Sequence, residues 1–81
     1  MGRFYFHVRD GDELIYDEEG QDLPDVSQAL REALLAAREL LANAIKSGKE
    51  QVPDAVVVVD ESGQAIETLP IALVLPKLLK A

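Results

Sequence analysis

The chain has no cysteine and no tryptophan, and its 81 residues include a single histidine, His7. Without cysteine it cannot form a disulfide, a thiolate metal site or a thiol nucleophile. One histidine cannot supply the three protein ligands that a catalytic zinc site requires, so we expect His7 to have a structural or solvent-exposed role on a strand. These absences exclude many of the common catalytic and metal-binding arrangements.

Basic residues are scarce: 8 lysines and arginines stand against 15 acids, giving a formal net charge of −7. Nucleic acids are held mainly by neutralising their phosphates, so generic nucleic-acid binding is disfavoured. The acids are also clustered near the start of the chain, and an acidic cluster of this kind forms either a solvated face or a docking surface for a basic partner. The spacing of a calcium-binding loop is missing, and we expect no metal and no cofactor. Eight of the acids fall within 16 residues that contain no base: Asp10, Asp12, Glu13, Asp17, Glu18, Glu19, Asp22 and Asp25.

Long hydrophobic runs are also lacking. The longest, Leu69 to Leu79, is interrupted by two prolines and a lysine and is too short to span a bilayer. The opening residues, Met1 to His7, mix polar and apolar side chains and do not resemble the apolar region of a signal peptide. We therefore expect one soluble, cytoplasmic domain over residues 1–81.

The segment from Asp25 to Gly48 carries a nearly complete helix signature. Asp25 suits the N-cap, and Gln28 three residues later has capping-box spacing. Lys46 complements the negative end of the helix, and Gly48 suits a left-handed C-cap. Leu34 and Leu41 are expected in the core. Apolar residues recur at three- and four-residue intervals along one face: Val26, Leu30, Ala33, Leu34, Ala37, Leu40, Leu41, Ala44 and Ile45.

Four strands are predicted around this helix. A β-hairpin is indicated by the alternation of apolar and polar residues from Phe4 to Val8, the turn Asp10-Gly11-Asp12 and the run Glu13–Tyr16. Residues 17–23 are expected to form a loop. Ala55–Val59 is typical of a central strand, and Ala65–Leu69 of its returning neighbour. The sequence therefore predicts an α+β two-layer sandwich of order ββαββ. Its antiparallel sheet has the order 2-1-3-4, one long helix covers one face, and a short helix or irregular tail follows Pro70.

One side of the first strand carries Arg3, Tyr5, His7 and Arg9. Aromatic and basic residues on a sheet face bind RNA bases in some modules, but the glycine-rich motif of those modules is missing. We expect this face to meet solvent or a second subunit. Nothing in the sequence forms a catalytic group, so no enzyme activity is expected. The expected interaction surface consists of Arg3, Tyr5, His7, Arg9, Leu73, Leu75 and Leu78.

Three segments carry a family resemblance: Arg3-Phe-Tyr-Phe-His-Val-Arg-Asp-Gly11, Asp17-Glu-Glu-Gly20 and Leu23-Pro-Asp25 before an alanine-rich helix. The chain resembles a family of small alphaproteobacterial, particularly rhizobial, proteins of unknown function. The turn Val59-Asp-Glu-Ser-Gly63 is similar to that family's later hairpin, and the segment from Ile71 matches it least. The resemblance implies a shared fold and brings no catalytic residues.

A second resemblance rests on Leu23-Pro-Asp-Val-Ser-Gln28 and on the helix that ends in Lys46-Ser-Gly-Lys-Glu-Gln-Val-Pro53. These segments are similar to antitoxins of the HicB kind, whose domain resembles part of a double-stranded-RNA-binding fold. No extra strand is predicted before the helix, and there is no basic C-terminal DNA-binding helix. The resemblance therefore implies shared architecture rather than DNA binding.

Two functions remain open at this stage. The first is a non-enzymatic binding or interaction module that self-associates as a homodimer through the open sheet face or the C-terminal segment. The second is an antitoxin-like regulatory protein that covers a small basic partner with its acidic hairpin.

Overall fold

One long helix lies against an antiparallel sheet whose strands come from both halves of the chain. A computed structural model describes residues 2–48 and 51–74. The elements in chain order are β1 (Gly2–Asp10), β2 (Glu13–Ile15), β3 (Gln21–Leu23), α1 (Val26–Lys46), β4 (Ala55–Val59), β5 (Ala65–Pro70) and a 3-10 helix, η1 (Ile71–Val74). The α+β class, the single long helix and the antiparallel pairing are confirmed.

The sheet differs in detail from the prediction by one additional strand. The four predicted strands correspond to β1, β2, β4 and β5, and they lie in the order β2-β1-β4-β5, whereas the additional strand β3 also pairs with β1. The β1–β2 hairpin closes on Gly11 and Asp12, with Gly11 at a φ of 64°, as the Asp-Gly turn predicts. Opposite Val58 and Val59 the register shifts by one residue of β5, which forms a β-bulge.

The prediction that residues 17–23 form only a loop is wrong, because Gln21–Leu23 is strand β3. Gly2, Arg3 and Phe4 pair with Leu23, Asp22 and Gln21. The segment is short and mostly polar, so it has no strand periodicity, and its pairing with β1 decides its structure. An additional strand therefore does precede the helix. In the comparison with the HicB-like antitoxins, the sequence alone predicts none.

The helix ends are set by the residues that the sequence indicated. The Asp25 carboxylate accepts a hydrogen bond from the Gln28 backbone amide at 2.9 Å, and Asp25 has the extended backbone of an N-cap. The reciprocal bond of a capping box is not found among the described residues. At the other end Gly48 has a φ of 73°, and its amide donates to the carbonyl of Ile45 at 3.2 Å.

The helix packs on the sheet through alanines rather than leucines. Ala29, Ala33 and Ala37 are almost fully buried against a core that contains Phe4, Val56, Val58 and Ile71. Small side chains at the contact line let the helix axis approach the sheet closely, so the larger residues are displaced to the flanks. Leu41 is buried as expected, but Leu34 is only half-buried, which corrects the prediction that both are core residues. Leu30 and Ile45, on the same flank, are exposed.

All five residues of β4 are buried, as the uninterrupted valine run predicts for a central strand. Val56 and Val58 face the helix, while Val57 and Val59 lie on the opposite face and are only 6% and 8% exposed. Those two valines therefore need no second subunit to cover them. Among residues 2–48 and 51–74, no helix has the length and hydrophobicity needed to cross a membrane.

Candidate functional site

The site lies on the face of the sheet opposite α1, which we call the helix-free face because no helix of residues 2–48 and 51–74 packs on it. Phe4 belongs to the core beneath the helix, so alternation along β1 places Arg3, Tyr5, His7 and Arg9 on the helix-free face. In register with β4, Tyr5 pairs with Val59 and His7 with Val57. The two valines therefore form the floor of this face, and the side chains of β1 stand beside them.

The segment Tyr16–Gly20 interrupts the strand that pairs with β1. Val8 is opposite Ile15, and Phe4 is opposite Gln21, so three residues of β1 face five residues of this segment. The two additional residues push the segment out of the regular ladder, as an enlarged β-bulge does. We call Tyr16–Gly20 the bulge segment, and side chains replace the backbone hydrogen bonds that it loses.

Asp17 and His7 supply those replacements. The Asp17 backbone amide donates to His7 Nδ1 at 3.0 Å, and the Phe6 amide donates to Asp17 Oδ2 at 3.1 Å. Because Nδ1 accepts a hydrogen bond, the proton of the neutral imidazole lies on Nε2. His7 is 9% exposed, and no hydrogen bond to Nε2 is present among the described residues. His7 thus lies on β1 and joins this strand to the bulge segment.

The Asp17 carboxylate holds the bulge segment together. Its Oδ1 accepts from the amides of Glu19 at 3.3 Å and Gly20 at 3.2 Å. Partial burial acts to raise the pKa of Asp17, but the hydrogen bonds from the Phe6, Gly20 and Glu19 amides outweigh it, so the pKa is lowered. Asp17 is therefore ionised at neutral pH and is a weak general base.

The His7 ring has two tyrosine rings as neighbours on this face. The centroids of His7 and Tyr16 are 4.8 Å apart in an edge-to-face arrangement, and those of Tyr5 and His7 are 6.3 Å apart. Gly20 supports the Tyr5 ring from the other side, because any Cβ at Gly20 would lie 2.8 Å from Tyr5 Cε2. Tyr16 is 65% exposed, so its ring is available for contact.

An open concavity of about 490 Å³ lies between these rings and the β4–β5 turn. The bulge segment contributes Asp17 and Glu18 to its lining, and the turn contributes Asp60, Glu61 and Gly63. Four acidic residues thus line the concavity together with the aromatic rings, and no lysine or arginine is among its described lining residues. We call this feature the aromatic-acidic concavity.

The β4–β5 turn is rigidly built around Asp60. Its Oδ1 accepts from the Ser62 hydroxyl at 2.6 Å, the Ser62 amide at 2.9 Å and the Gln64 amide at 3.0 Å. The Ser62 hydroxyl and the Gln64 amide are the main causes of the lowered pKa of Asp60. The Ser62 hydroxyl is thereby engaged in the turn. Glu18 and Glu61 are exposed, and no hydrogen bond engages their carboxylates among the described residues.

The two arginines of β1 do not form a basic surface. Arg3 Nη1 pairs with Asp22 Oδ1 at 2.9 Å, and its Nε donates to the carbonyl of Glu19 at 2.9 Å. The hydrogen bond and charge of Asp22 raise the pKa of Arg3. Arg9 is exposed, two residues beyond His7 and outside the lining of the concavity. The charge of Arg3 is therefore paired with that of Asp22, whereas Arg9 remains exposed.

The remaining residues of the expected interaction surface lie elsewhere. η1 packs on the helix side through the buried Ile71, and Leu73 of η1 is 64% exposed. Leu75 and Leu78 lie outside the described residues, as does the part of the predicted tail beyond residue 74. A second concavity, of about 750 Å³, lies near the end of α1 and is lined by residues including Leu40, Asn43 and Lys46. Within residues 2–48 and 51–74, no three His, Cys, Asp or Glu side chains are grouped closely enough to hold a metal ion.

Sequence reasoning placed Tyr5 and His7 on this face but missed Tyr16, Glu18 and Glu61. A signal for Tyr16 was present, because the two-residue turn at Gly11-Asp12 fixes the hairpin register and a regular continuation sets Tyr16 opposite His7. The glutamates could not be found in the same way. Their approach depends on the bulge segment and on the β4–β5 turn, which have no periodic pattern.

Comparisons with known proteins identify a family but no characterised relative. No curated protein has a significant match to the chain. No solved structure has one either. The model of a family of unknown function matches 70 of the 81 residues, from residue 3 in β1 to residue 72 in η1. The chain therefore belongs to the family described as Domain of unknown function (DUF6894).

Proposed function

We propose that this chain is a non-enzymatic binding module whose partner docks on the helix-free face of the sheet. The observation that carries the proposal is the aromatic-acidic concavity, in which the rings of Tyr5, His7 and Tyr16 face an acidic turn. Concave sites that combine aromatic surface with a few placed polar groups are the usual form of a binding site. Its rigid framework, built on Asp17 and Asp60, favours binding without rearrangement.

The proton chemistry of the concavity supports binding rather than catalysis. A general base works best with a pKa near the working pH, whereas the pKa values of Asp17 and Asp60 are both lowered. Their oxygens accept backbone hydrogen bonds, and His7 Nδ1 accepts from the Asp17 amide. These groups hold the loops in place, so moving a proton through them would disturb the site itself.

Affinity capture from native cells with matched charge variants tests the proposal. The site variant Glu18→Lys/Glu61→Lys reverses two exposed charges at the concavity, and Asp12→Lys/Glu39→Lys reverses two exposed charges outside its lining. We expect the parent and the second variant to retain the same protein, identified by intact mass, and the site variant to lose it. Equal retention by both variants would show that this face is not the docking surface.

Self-association is the second part of the proposal. Its support is that α1 and η1 both leave large hydrophobic side chains exposed, among them Ile45 at 60% and Leu73 at 64% exposed, and a patch built from such residues would mark an interface. A two-fold homodimer is the commonest arrangement. Light scattering coupled to size exclusion should give about twice the 8.9 kDa monomer mass, and Leu73→Asp should shift it toward the monomer. A monomer mass at all micromolar concentrations would exclude the homodimer.

An antitoxin-like role is the alternative, and strand β3 favours it. The HicB-like domain has an additional strand before its helix, and the sequence alone predicts no such strand in this chain. The structure has one, β3, directly before α1. The partner in that role is a small basic protein, and the acidic surroundings of the concavity suit such a partner. Capture of one small basic protein encoded beside this chain would favour this role, whereas a stable dimer without other retained proteins would favour self-association.

A further inference from the structure

We infer that the aromatic-acidic concavity binds an arginine side chain presented by a basic protein segment. In this arrangement the guanidinium lies against the Tyr16 ring and pairs with Glu18 and Glu61. His7 Nε2 donates a hydrogen bond to a carbonyl group of the segment. The inference rests on the proposed binding function and names the chemical class of its partner.

The charge distribution selects a cation. Asp17, Glu18, Asp60 and Glu61 line one concavity, and no lysine or arginine is among its described lining residues. Both carboxylate oxygens of Asp17 already accept backbone hydrogen bonds, so Asp17 contributes negative potential but has little capacity for a new partner. At Asp60 the hydrogen bonds of the turn engage Oδ1. Glu18 and Glu61 are exposed and form no such bonds among the described residues, which leaves them able to pair with a ligand.

The aromatic rings favour an organic cation over a metal ion. A guanidinium is planar, stacks on an aromatic face and forms paired hydrogen bonds with carboxylates, whereas an ammonium is compact and more strongly hydrated. Tyr16 offers an exposed ring beside His7, with ring centroids 4.8 Å apart. A hard metal ion instead needs several converging oxygen ligands, and the described carboxylates do not converge in this way.

His7 provides an observation independent of the charges. Its ring is nine-tenths buried, it lines the concavity, and Nδ1 is fixed by the Asp17 amide at 3.0 Å. The proton therefore lies on Nε2, which has no hydrogen-bond partner among the described residues. A donor held at the concavity suits a backbone carbonyl, so the site fits a cationic side chain carried by a peptide better than a free cation. The volume of about 490 Å³ has room for the cationic side chain together with the peptide backbone that carries it.

Titration with short peptides tests the inference. The probe is acetyl-Gly-Gly-Arg-Gly-Gly-amide, and its citrulline counterpart has nearly the same shape without the charge. We expect the arginine peptide to shift the amide resonances of Glu18, Glu61 and Gly63, with an affinity in about the millimolar range for one side chain. The citrulline peptide should bind at least about tenfold more weakly, and the lysine peptide should lie between them. The amides of Gly11 and Gly48 serve as distant references.

Two variants separate the contributions of the ring and of the charge. Tyr16→Leu keeps an apolar side chain at an exposed position and should weaken arginine-peptide binding about five- to tenfold. Glu18→Gln/Glu61→Gln should weaken it by a similar factor and reduce its salt dependence. Glu32→Gln/Glu39→Gln makes the same change of net charge on the helix and should leave binding unchanged. Unchanged amide spectra outside the site confirm that each variant is folded.

Equal binding of the arginine and citrulline peptides, or full affinity in Tyr16→Leu, overturns the inference. It is also overturned if the three site amides shift with protein concentration in the absence of peptide, because a second copy of the chain then occupies the face. Loss of the captured partner in Glu18→Lys/Glu61→Lys, together with no arginine-peptide binding, leaves the docking surface in place and removes only the arginine ligand.

Discussion

Gly20 is the residue whose replacement most directly tests the packing of the site. It lies at the end of the bulge segment with a φ of 69°, a left-handed conformation that disfavours side chains. A Cβ added there would be 2.8 Å from Tyr5 Cε2, 2.9 Å from Tyr5 Cδ2 and 2.9 Å from the carbonyl oxygen of Phe4. Gly20→Ala is therefore unfavourable both in its backbone and in its contacts.

The two effects can be separated with Gly11→Ala. Gly11 has nearly the same backbone conformation, with a φ of 64°, but a Cβ added there would meet nothing within 4 Å beyond its own chain neighbours. We expect Gly11→Ala to lower the free energy of unfolding by roughly 1 kcal/mol, which is the left-handed penalty less the gain from a stiffer unfolded chain. Gly20→Ala should add roughly 1–3 kcal/mol for overpacking, because the Phe4 carbonyl belongs to paired strand β1 and cannot move freely.

Urea unfolding of the parent and both variants measures the difference. In thermal melts each kcal/mol corresponds to about 4–8 °C for a domain of this size. Tyr5→Ala/Gly20→Ala should be less destabilised than the sum of its single changes, because two of the three close contacts come from the Tyr5 ring. A Gly20→Ala stability within about 0.5 kcal/mol of Gly11→Ala would refute this account of the packing beneath Tyr5.

Three further predictions follow from the caps, the core and the bulge segment. Asp25→Ala should cost about 1 kcal/mol of unfolding free energy while Asp25→Asn stays near the parent, and equal melting of all three would place the cap elsewhere. In urea unfolding, Leu41→Ala should lower the free energy of unfolding by roughly 2–5 kcal/mol, and Leu34→Ala, at a half-buried position, by roughly half as much. Equal losses would contradict the placement of Leu34 on the flank of the helix and Leu41 in the core. Asp17 has a lowered pKa in the folded state, so its stabilisation is complete above the ordinary aspartate pKa of about 3.9 and is lost as pH falls through the folded value. Asp17→Asn should therefore weaken the acid dependence of unfolding, and an unchanged acid profile would contradict the hydrogen bonds assigned to this carboxylate.

The elements with strong periodic signals could be predicted from the sequence. Asp25, Lys46 and Gly48 indicated the helix ends, and the valine run indicated the central strand, because these signals depend on local chemistry. β3 could not be predicted, since its three residues are held by pairing with the start of β1 and by the Arg3–Asp22 ion pair. Those contacts join residues about 20 positions apart, and no local pattern records them.

The core was predicted only in part, because helical periodicity shows which face is buried but not how closely it packs. The apolar stripe includes both Ala33 and Leu34, and the sequence alone favours the larger side chain as the core residue. In the structure the alanine side is in contact with the sheet, while Leu34 lies on the flank. The distance between the layers decides between them, and that distance follows from the alanines themselves.

The bulge segment connects the stability of the sheet to the proposed binding site. The two additional residues cost β1 its regular pairing at Tyr5 to His7, and an unpaired buried amide is expensive. Asp17 satisfies the Phe6 amide, and His7 satisfies the Asp17 amide. The same displacement sets Glu18 beside the concavity and leaves Tyr16 exposed against the imidazole. An uninterrupted hairpin would have a more regular ladder but would not place Glu18 in this way, so the irregularity that weakens the ladder is also what shapes the proposed binding site.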